Sequence, residues 1–148
     1  MNTLKRRLFF DGAMGTMIVR AGLSFDHYPE ELNLTHPAEI TQIHKDYIEA
    51  GSNIITTNTF GANKIKFHSE QYSLEEVIRS AIDNARAAVC AKDALVAFDV
   101  GPTGKLLEPM GELSFEEAVD AFALPIRIAA AHGGIDFILI ETMSDLYE

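Results

Sequence analysis

The chain has 148 residues, 47% of them hydrophobic, enough for one ordinary domain with a buried core, or for part of one. Its formal net charge of −10 and isoelectric point near 4.9 repel phosphate backbones, so no nucleic acid is expected as a partner. Lys5-Arg6-Arg7 is the one cluster that offsets that balance locally. It is followed only by LFF, far short of the roughly 7–15 apolar residues of a secretory core or the about 20 of a membrane span, so a soluble, cytoplasmic protein that avoids membranes is expected.

Residues 7–12, RLFFDG, read as a short apolar strand. An irregular stretch follows. Pro37 then stands where a first helical turn tolerates it, and Ile40, Ile43, Tyr47 and Ile48 recur at helical spacing as far as Gly51. Residues 53–58, NIITTN, have the β-branched content of a second strand. Ser73 and Glu76 form a capping box ahead of Val77, Ala81, Ile82, Ala85, Ala88 and Val89, the second helix. Cys90, at its end, is the one cysteine; it excludes an internal disulfide and a multi-cysteine metal site within these residues, and its expected role is that of a buried thiol. Residues 95–100, LVAFDV, give a third strand, closed by the turn GPTG at 101–104. Ser114 and Glu117 repeat the capping box before Val119, Phe122, Ile126 and Ala129, and Pro125 is expected to kink or interrupt that third helix. Gly133 and Gly134 end it, and residues 136–141, DFILIE, form strand four.

Strands alternating with helices imply parallel pairing and an α/β class, either an open doubly wound sheet or the N-terminal half of a (β/α)8 barrel. Every second residue gives one face with Phe9 and Asp11; Ile54, Thr56 and Asn58; Leu95, Ala97 and Asp99; Phe137, Leu139 and Glu141. The opposite face, with Leu8 and Phe10, Ile55 and Thr57, Val96, Phe98 and Val100, Ile138 and Ile140, suits packing beneath helices. Each row of the first face is polar only at its C-terminal tip. Four consecutive strands aiming polar groups at one mouth is the barrel's way of building a site, whereas an open sheet concentrates its ligand at one switch point. The half barrel is the favoured reading, four parallel strands with alternating helices. Because a full barrel takes roughly 250 residues, residues 1–148 are expected to be a domain truncated after strand four.

At that mouth Asp11, Asp99 and Glu141 suit either acid–base work on a glycosidic bond or the holding of a substrate ammonium, and the spacing leaves both open. A single acid at a strand end also caps the loop that follows. Asn58 is suited to a substrate carboxylate or amide, or equally to bracing its own turn. The stretch DGAMG at 11–15 lacks the third glycine of a dinucleotide fingerprint, so it reads as a tight turn in which Gly12 allows close backbone approach. The candidate site residues are thus Asp11, Gly12, Asn58, Asp99 and Glu141. His27, His36, His44, His68 and His132 show no metal-ligand spacing.

Five stretches, FDGAMGTMI (10–18), PEELNL (29–34), YIEAGSNIITTNTFGAN (47–63), DVGPTGKLLEPMG (99–111) and DFILIETMSDLYE (136–148), together resemble the homocysteine S-methyltransferase domain family. The likeness is greatest to the N-terminal homocysteine-binding module of cobalamin-dependent methionine synthases. It implies a (β/α)8 barrel, a substrate thiol activated by zinc on three cysteines, and a homocysteine ammonium held by the acids at Asp11 and Glu141. The physics agrees, since zinc stabilises a thiolate and three protein ligands leave the fourth position for the substrate sulfur. Those three cysteines belong to later strands, and Cys90 matches none of them. The resemblance therefore implies a parent enzyme that methylates homocysteine to methionine, with methylcobalamin as donor and methyltetrahydrofolate as its source, both handled by other domains. No metal or cofactor is expected on the fragment itself, which is expected to be inactive alone and to form a homodimer through its unpaired sheet edges. A relative using betaine or a sulfonium donor, and a non-catalytic self-associating half-barrel module, are the alternatives.

Overall fold

The computed structural model describes residues 7–89 and 93–148; Lys5, Arg6 and Cys90 lie outside the described residues. Three parallel strands, β1 (Ile54–Thr56), β2 (Leu95–Val100) and β3 (Phe137–Ile140), form a sheet in the order β1-β2-β3. Ile54 sits opposite Leu95, Ala97 opposite Phe137 and Val100 opposite Ile140. The helices among the described residues are α1 (Met14–Arg20), α2 (Leu32–Thr35), α3 (Pro37–Glu49), α4 (Leu74–Val89) and α5 (Phe115–His132), with a 3-10 turn at Pro29–Glu31.

The sequence reading anticipates a fourth strand at residues 7–12. That segment does lie beside β1, but as one parallel bridge, Phe10 to Ile54, rather than as a strand. The Asp11 N–H donates to the Ile54 carbonyl at 2.9 Å, while side chains take neighbouring ladder positions: Phe9 N–H donates to Asn53 Oδ1 and Ser52 Oγ to the Phe10 carbonyl, both at 3.3 Å. Phe10 also departs from the alternation, which puts it on the helix-covered face. Its ring meets that of Phe137 edge-on, with centroids 6.1 Å apart. Segment and β3 are separated by two intervening strands, about 14 Å across a flat sheet, so the contact reflects a concave curl of the sheet.

The helices follow the local signals. Pro37 occupies the first turn of α3, and Gly51, with φ +110°, follows its end. Both capping boxes are present: Glu76 N–H donates to Ser73 Oγ at 3.2 Å and Ser73 N–H to Glu76 Oε2 at 2.9 Å, and Ser114 with Glu117 repeats the pattern. Pro125 does not interrupt α5, which runs through it for 18 residues. The proline is buried, and tertiary packing of Ala118, Ala121 and Ala129 on either side holds the helix through the missing hydrogen bond.

Beneath the helices the expected apolar row is the core. Ile55 and Val96 pack with Ala85 and Val89, and Phe98 and Val100 with Ile78, Ile82 and Ala129. Arg86 of α4 pairs with Asp136 at 2.8 Å, and the same carboxylate oxygen accepts from Val96 N–H at 2.7 Å, which pins the start of β3. The row fails on β3 itself: Ile138 and Ile140 are 39% and 64% exposed, with no helix over them among the described residues. It fails also at Leu8 and Phe10, which are exposed; on the other face Ile54 is buried and Phe9 exposed.

Two helical segments and the 3-10 turn occupy the stretch read as irregular. Met14, Met17 and Ile18 of α1 and Leu32 of α2 form a second apolar cluster with Ile40 and Ile43 of α3. It sits beside the C-terminal ends of the strands. None of the described helices is long and apolar enough to cross a membrane.

Candidate functional site

The strand ends open onto a cavity of about 660 Å³, walled by Asp11, Gly12, Thr56, Asn58, Asp99, Leu139 and Glu141, with Pro29, Glu30 and Phe60 from the connecting segments. The period-two alternation of each strand is what sends 56 and 58, 99, and 139 and 141 to the same face. All five candidate residues, Asp11, Gly12, Asn58, Asp99 and Glu141, meet on this one cavity.

Asp11 is oriented by its neighbour across the bridge: Thr56 N–H donates to its Oδ2 at 2.9 Å and Thr56 Oγ1 to its Oδ1 at 2.8 Å. Burial pushes its pKa up to about 6, the two Thr56 bonds opposing the shift and the Glu141 charge adding to it. Gly12 is explained by packing. A Cβ there would stand 3.0 Å from the hydroxyl oxygen of Tyr47, which itself donates to the Ala13 carbonyl at 3.1 Å.

Asp99 is buried, and its Oδ1 has no hydrogen-bond partner in the protein. Its backbone, by contrast, is held on both sides. Asp99 N–H donates to Thr57 Oγ1 at 3.1 Å, and Thr59 Oγ1 donates to the Asp99 carbonyl at 2.8 Å. With the Thr59 proton so used, the Thr57 hydroxyl donates to Thr59 Oγ1 at 2.7 Å, closing a ring of three bonds. Burial first, then the charges of Glu141, Asp11 and Glu30, push the Asp99 pKa up to about 7. Glu141 is exposed at the tip of β3, its N–H donating to the Val100 carbonyl at 3.2 Å.

Asn58 is a brace. Its Nδ2 donates to the Pro29 carbonyl at 2.9 Å, and its own carbonyl accepts from Asn33 Nδ2 at 2.8 Å, which ties the 3-10 turn and α2 to the loop after β1. Beside it stands Glu30, an acid the sequence reading left without a role. Glu30 is buried, its Oε1 accepts from Gly61 N–H at 2.6 Å, and burial raises its pKa. The signal available in sequence was PEE followed by a glycine-bearing loop, but only the fold brings Gly61 to Glu30. A Cβ at Gly61 would lie 2.7 Å from that carboxylate oxygen.

The turn GPTG contributes no ligand group to this cavity. Gly101 is required because a Cβ would stand 2.5 Å from the Phe60 carbonyl oxygen. The cavity lining carries the four carboxyl groups of Asp11, Glu30, Asp99 and Glu141 and no lysine, arginine or histidine. Lys66 lies behind it, with Nζ 5.0 Å from the centre of the Phe60 ring. No group of three or more His, Cys, Asp or Glu side chains among the described residues is placed to hold a metal ion. What this lining can do is receive a cationic group, with Leu139 and Phe10 offering an apolar surface beside it.

A profile of the family described as homocysteine S-methyltransferase matches residues 8–148. The chain is similar to proteins named methionine synthase from Mycobacterium leprae and Mycobacterium tuberculosis, 32% identical to each over alignments of 166 and 164 residues. These alignments take in the whole chain but 13% of each relative. Its fold is similar to that of the homocysteine methyltransferase MmuM from Escherichia coli. The metallated form matches with a TM-score of 0.81 at 20% identity, and the oxidized form with 0.83 at 22%. Those matches cover 97% and 98% of the chain and 56% of MmuM. A matched profile over nearly the whole chain, on a parallel α/β fold with an acidic cavity at its strand ends, places the chain in the homocysteine S-methyltransferase family.

Proposed function

We propose that residues 1–148 form the N-terminal half of a homocysteine-binding (β/α)8 barrel domain, and that its cavity receives the amino-acid end of homocysteine. The observation that carries this reading is the convergence of Asp11, Asp99 and Glu141, from three separate segments, on one cavity without a basic residue. An ammonium between Asp11 and Glu141 makes charge-assisted hydrogen bonds to both, and fixing that end aims the thiol away from the strand tips. The curl marked by Phe10 and Phe137 and the coverage of just over half of MmuM favour the half barrel over an open sheet.

The reaction proposed for the polypeptide in which these residues act is methyl transfer to the homocysteine thiol, giving methionine. Methylcobalamin is the proposed immediate donor and methyltetrahydrofolate its source, each bound outside residues 1–148. Zinc supplies thiolate stabilisation in such a reaction, but the described residues hold no ligand set that fits it, and the proposed role of this chain is binding rather than activation. Methyl transfer by this chain alone is therefore not expected. Self-association of the chain through its exposed apolar edges completes the proposal.

Calorimetric titration with L-homocysteine and with 4-mercaptobutanoate, which lacks the amino group, tests the site. Saturable binding of homocysteine, with the desamino compound at least about tenfold weaker, is expected from the loss of a charge-assisted hydrogen bond. Equal affinity for the two would remove the ammonium site.

A further inference from the structure

Asp99 differs from the other acids of the cavity. Both Asp11 oxygens are engaged by Thr56, and Glu30 is tied to Gly61, while Glu141 stands in solvent. Asp99 lines the cavity yet is only 6% exposed, and its Oδ1 is shut off from solvent with no hydrogen-bond partner in the protein. Its main chain is fixed in place by the ring with Thr57 and Thr59. The charged groups acting on it from the surrounding segments are Glu141 at the end of β3, Asp11 beside β1 and Glu30 on the 3-10 turn, all negative. Lys66 acts on Glu30, one group removed. A buried, unsolvated carboxylate facing three like charges is disfavoured in its ionised form.

We propose that Asp99 is the proton-exchanging group of the substrate site: its carboxyl is held protonated while the cavity is empty and releases that proton to solvent when a ligand ammonium enters. This rests on the homocysteine-site reading above and assigns Asp99 a function distinct from that of Asp11 and Glu141. The exchange is balanced: a neutral carboxyl and a ligand ammonium become a carboxylate–ammonium pair and one proton in solvent. An incoming cation in the cavity that Asp99 lines cancels the repulsion that kept the proton on. Because the empty form carries the proton and the filled form does not, affinity rises with pH. The slope reaches about tenfold per pH unit between the midpoints of the filled and empty forms. The direction agrees with the upward displacement of Asp99 in the empty site.

The test uses L-methionine, which has the same ammonium end and no thiol proton to confuse the count. Calorimetry of this chain at pH 6.5 in two buffers of different ionisation enthalpy gives the number of protons released per ligand bound. A release that falls in Asp99→Asn to the smaller remainder supplied by Asp11, while methionine still binds, is expected. Binding without proton release, or a release undiminished in Asp99→Asn, overturns the proposal and leaves the ammonium site standing. A folded chain that binds neither methionine nor homocysteine overturns the site reading and the proposal together. Should Asp99→Asn fail to fold, carboxyl ¹³C titration of the unaltered chain decides. The Asp99 midpoint falls by about one unit or more on saturation with methionine, or it stays in place and the proposal fails.

Discussion

Thr56 holds Asp11 by both carboxylate oxygens, through its backbone N–H at 2.9 Å and its hydroxyl at 2.8 Å. The two residues lie on adjacent segments of the sheet, so one side chain both joins them and sets the aim of the acid. Replacing Thr56 by valine keeps the shape and the backbone bond but deletes the hydroxyl. A stability loss of about 1 kcal/mol is expected by urea denaturation. The Asp11 midpoint moves further up, because a bond that favours the ionised form is gone. Carboxyl NMR showing no such movement would mean that the hydroxyl does not orient Asp11.

His44 lies on α3, fully buried, with neither ring nitrogen hydrogen-bonded, and burial lowers its pKa to about 4 from an ordinary 6.5. The unfolded chain takes up this proton as pH falls through 6.5, while the folded chain resists until about 4. Stability from His44 is therefore complete above 6.5, falls by up to roughly 3 kcal/mol toward pH 4, and changes no further below that. Asp11 and Asp99 act in the opposite sense. Their raised pKa values mean that stability is lost as pH rises from the ordinary 3.8 toward 6 and 7. Comparing the chain with His44→Leu at each pH cancels the carboxyl contribution. The variant should gain on the parent steadily between pH 6.5 and 4.5; parallel stability curves would dismiss the buried neutral histidine as the cause.

Gly101 and Gly15 make a matched pair. A Cβ at Gly101 meets backbone, 2.5 Å from the Phe60 carbonyl oxygen, whereas one at Gly15 meets nothing within 4 Å. Gly101→Ala should cost about 2 kcal/mol or more through displacement of the loop after β1. Gly15→Ala, within α1, should be neutral or stabilising by up to about 1 kcal/mol. Thermal melts of the two variants that fell together would contradict this assignment of the clash.

Leu8 and Phe9 on one edge are 52% and 59% exposed, and Ile138 and Ile140 on β3 are open at the other. Unpaired edges of this kind invite association, and a two-fold dimer is the commonest closed form. Sedimentation equilibrium should give a mass above the 16.3 kDa of one chain at micromolar concentration. A persistent monomer on concentrating would end the self-association proposal.

Sequence was most informative where the physics is local. The capping boxes at Ser73 and Ser114, the glycines after α3 and α5, and the alternation that lines up Thr56, Asp99 and Glu141 each depend on residues a few positions apart. What it missed depends on distant partners. Ala13 gives α1 no side-chain cap, so Met14, Met17 and Ile18 make sense as a helix only against Ile40 and Ile43. Glu30 is an ordinary surface acid until Gly61 arrives beside it. Phe10 escapes the alternation in a segment that pairs with β1 through one bridge only, and its ring finds Phe137 three strand positions away. Pro125 obeys its neighbours' packing rather than the usual rule for a helix interior.

The single bridge that fastens residues 7–12 to β1 bears on when the cavity exists at all. Asp11 and Glu141 stand near opposite ends of the chain, and the segment carrying Asp11 joins β1 by one bridge, outside the ladders of the three strands. The hydrogen bonds of that segment run to residues 52–56, so its release leaves the β1–β2 and β2–β3 ladders in place and does not require global unfolding. Opening removes Asp11 while β2 and β3 still present Asp99 and Glu141. A ligand that requires all three acids then binds only the closed form, and its binding slows hydrogen exchange at the Asp11 amide more than at amides in the centre of β2.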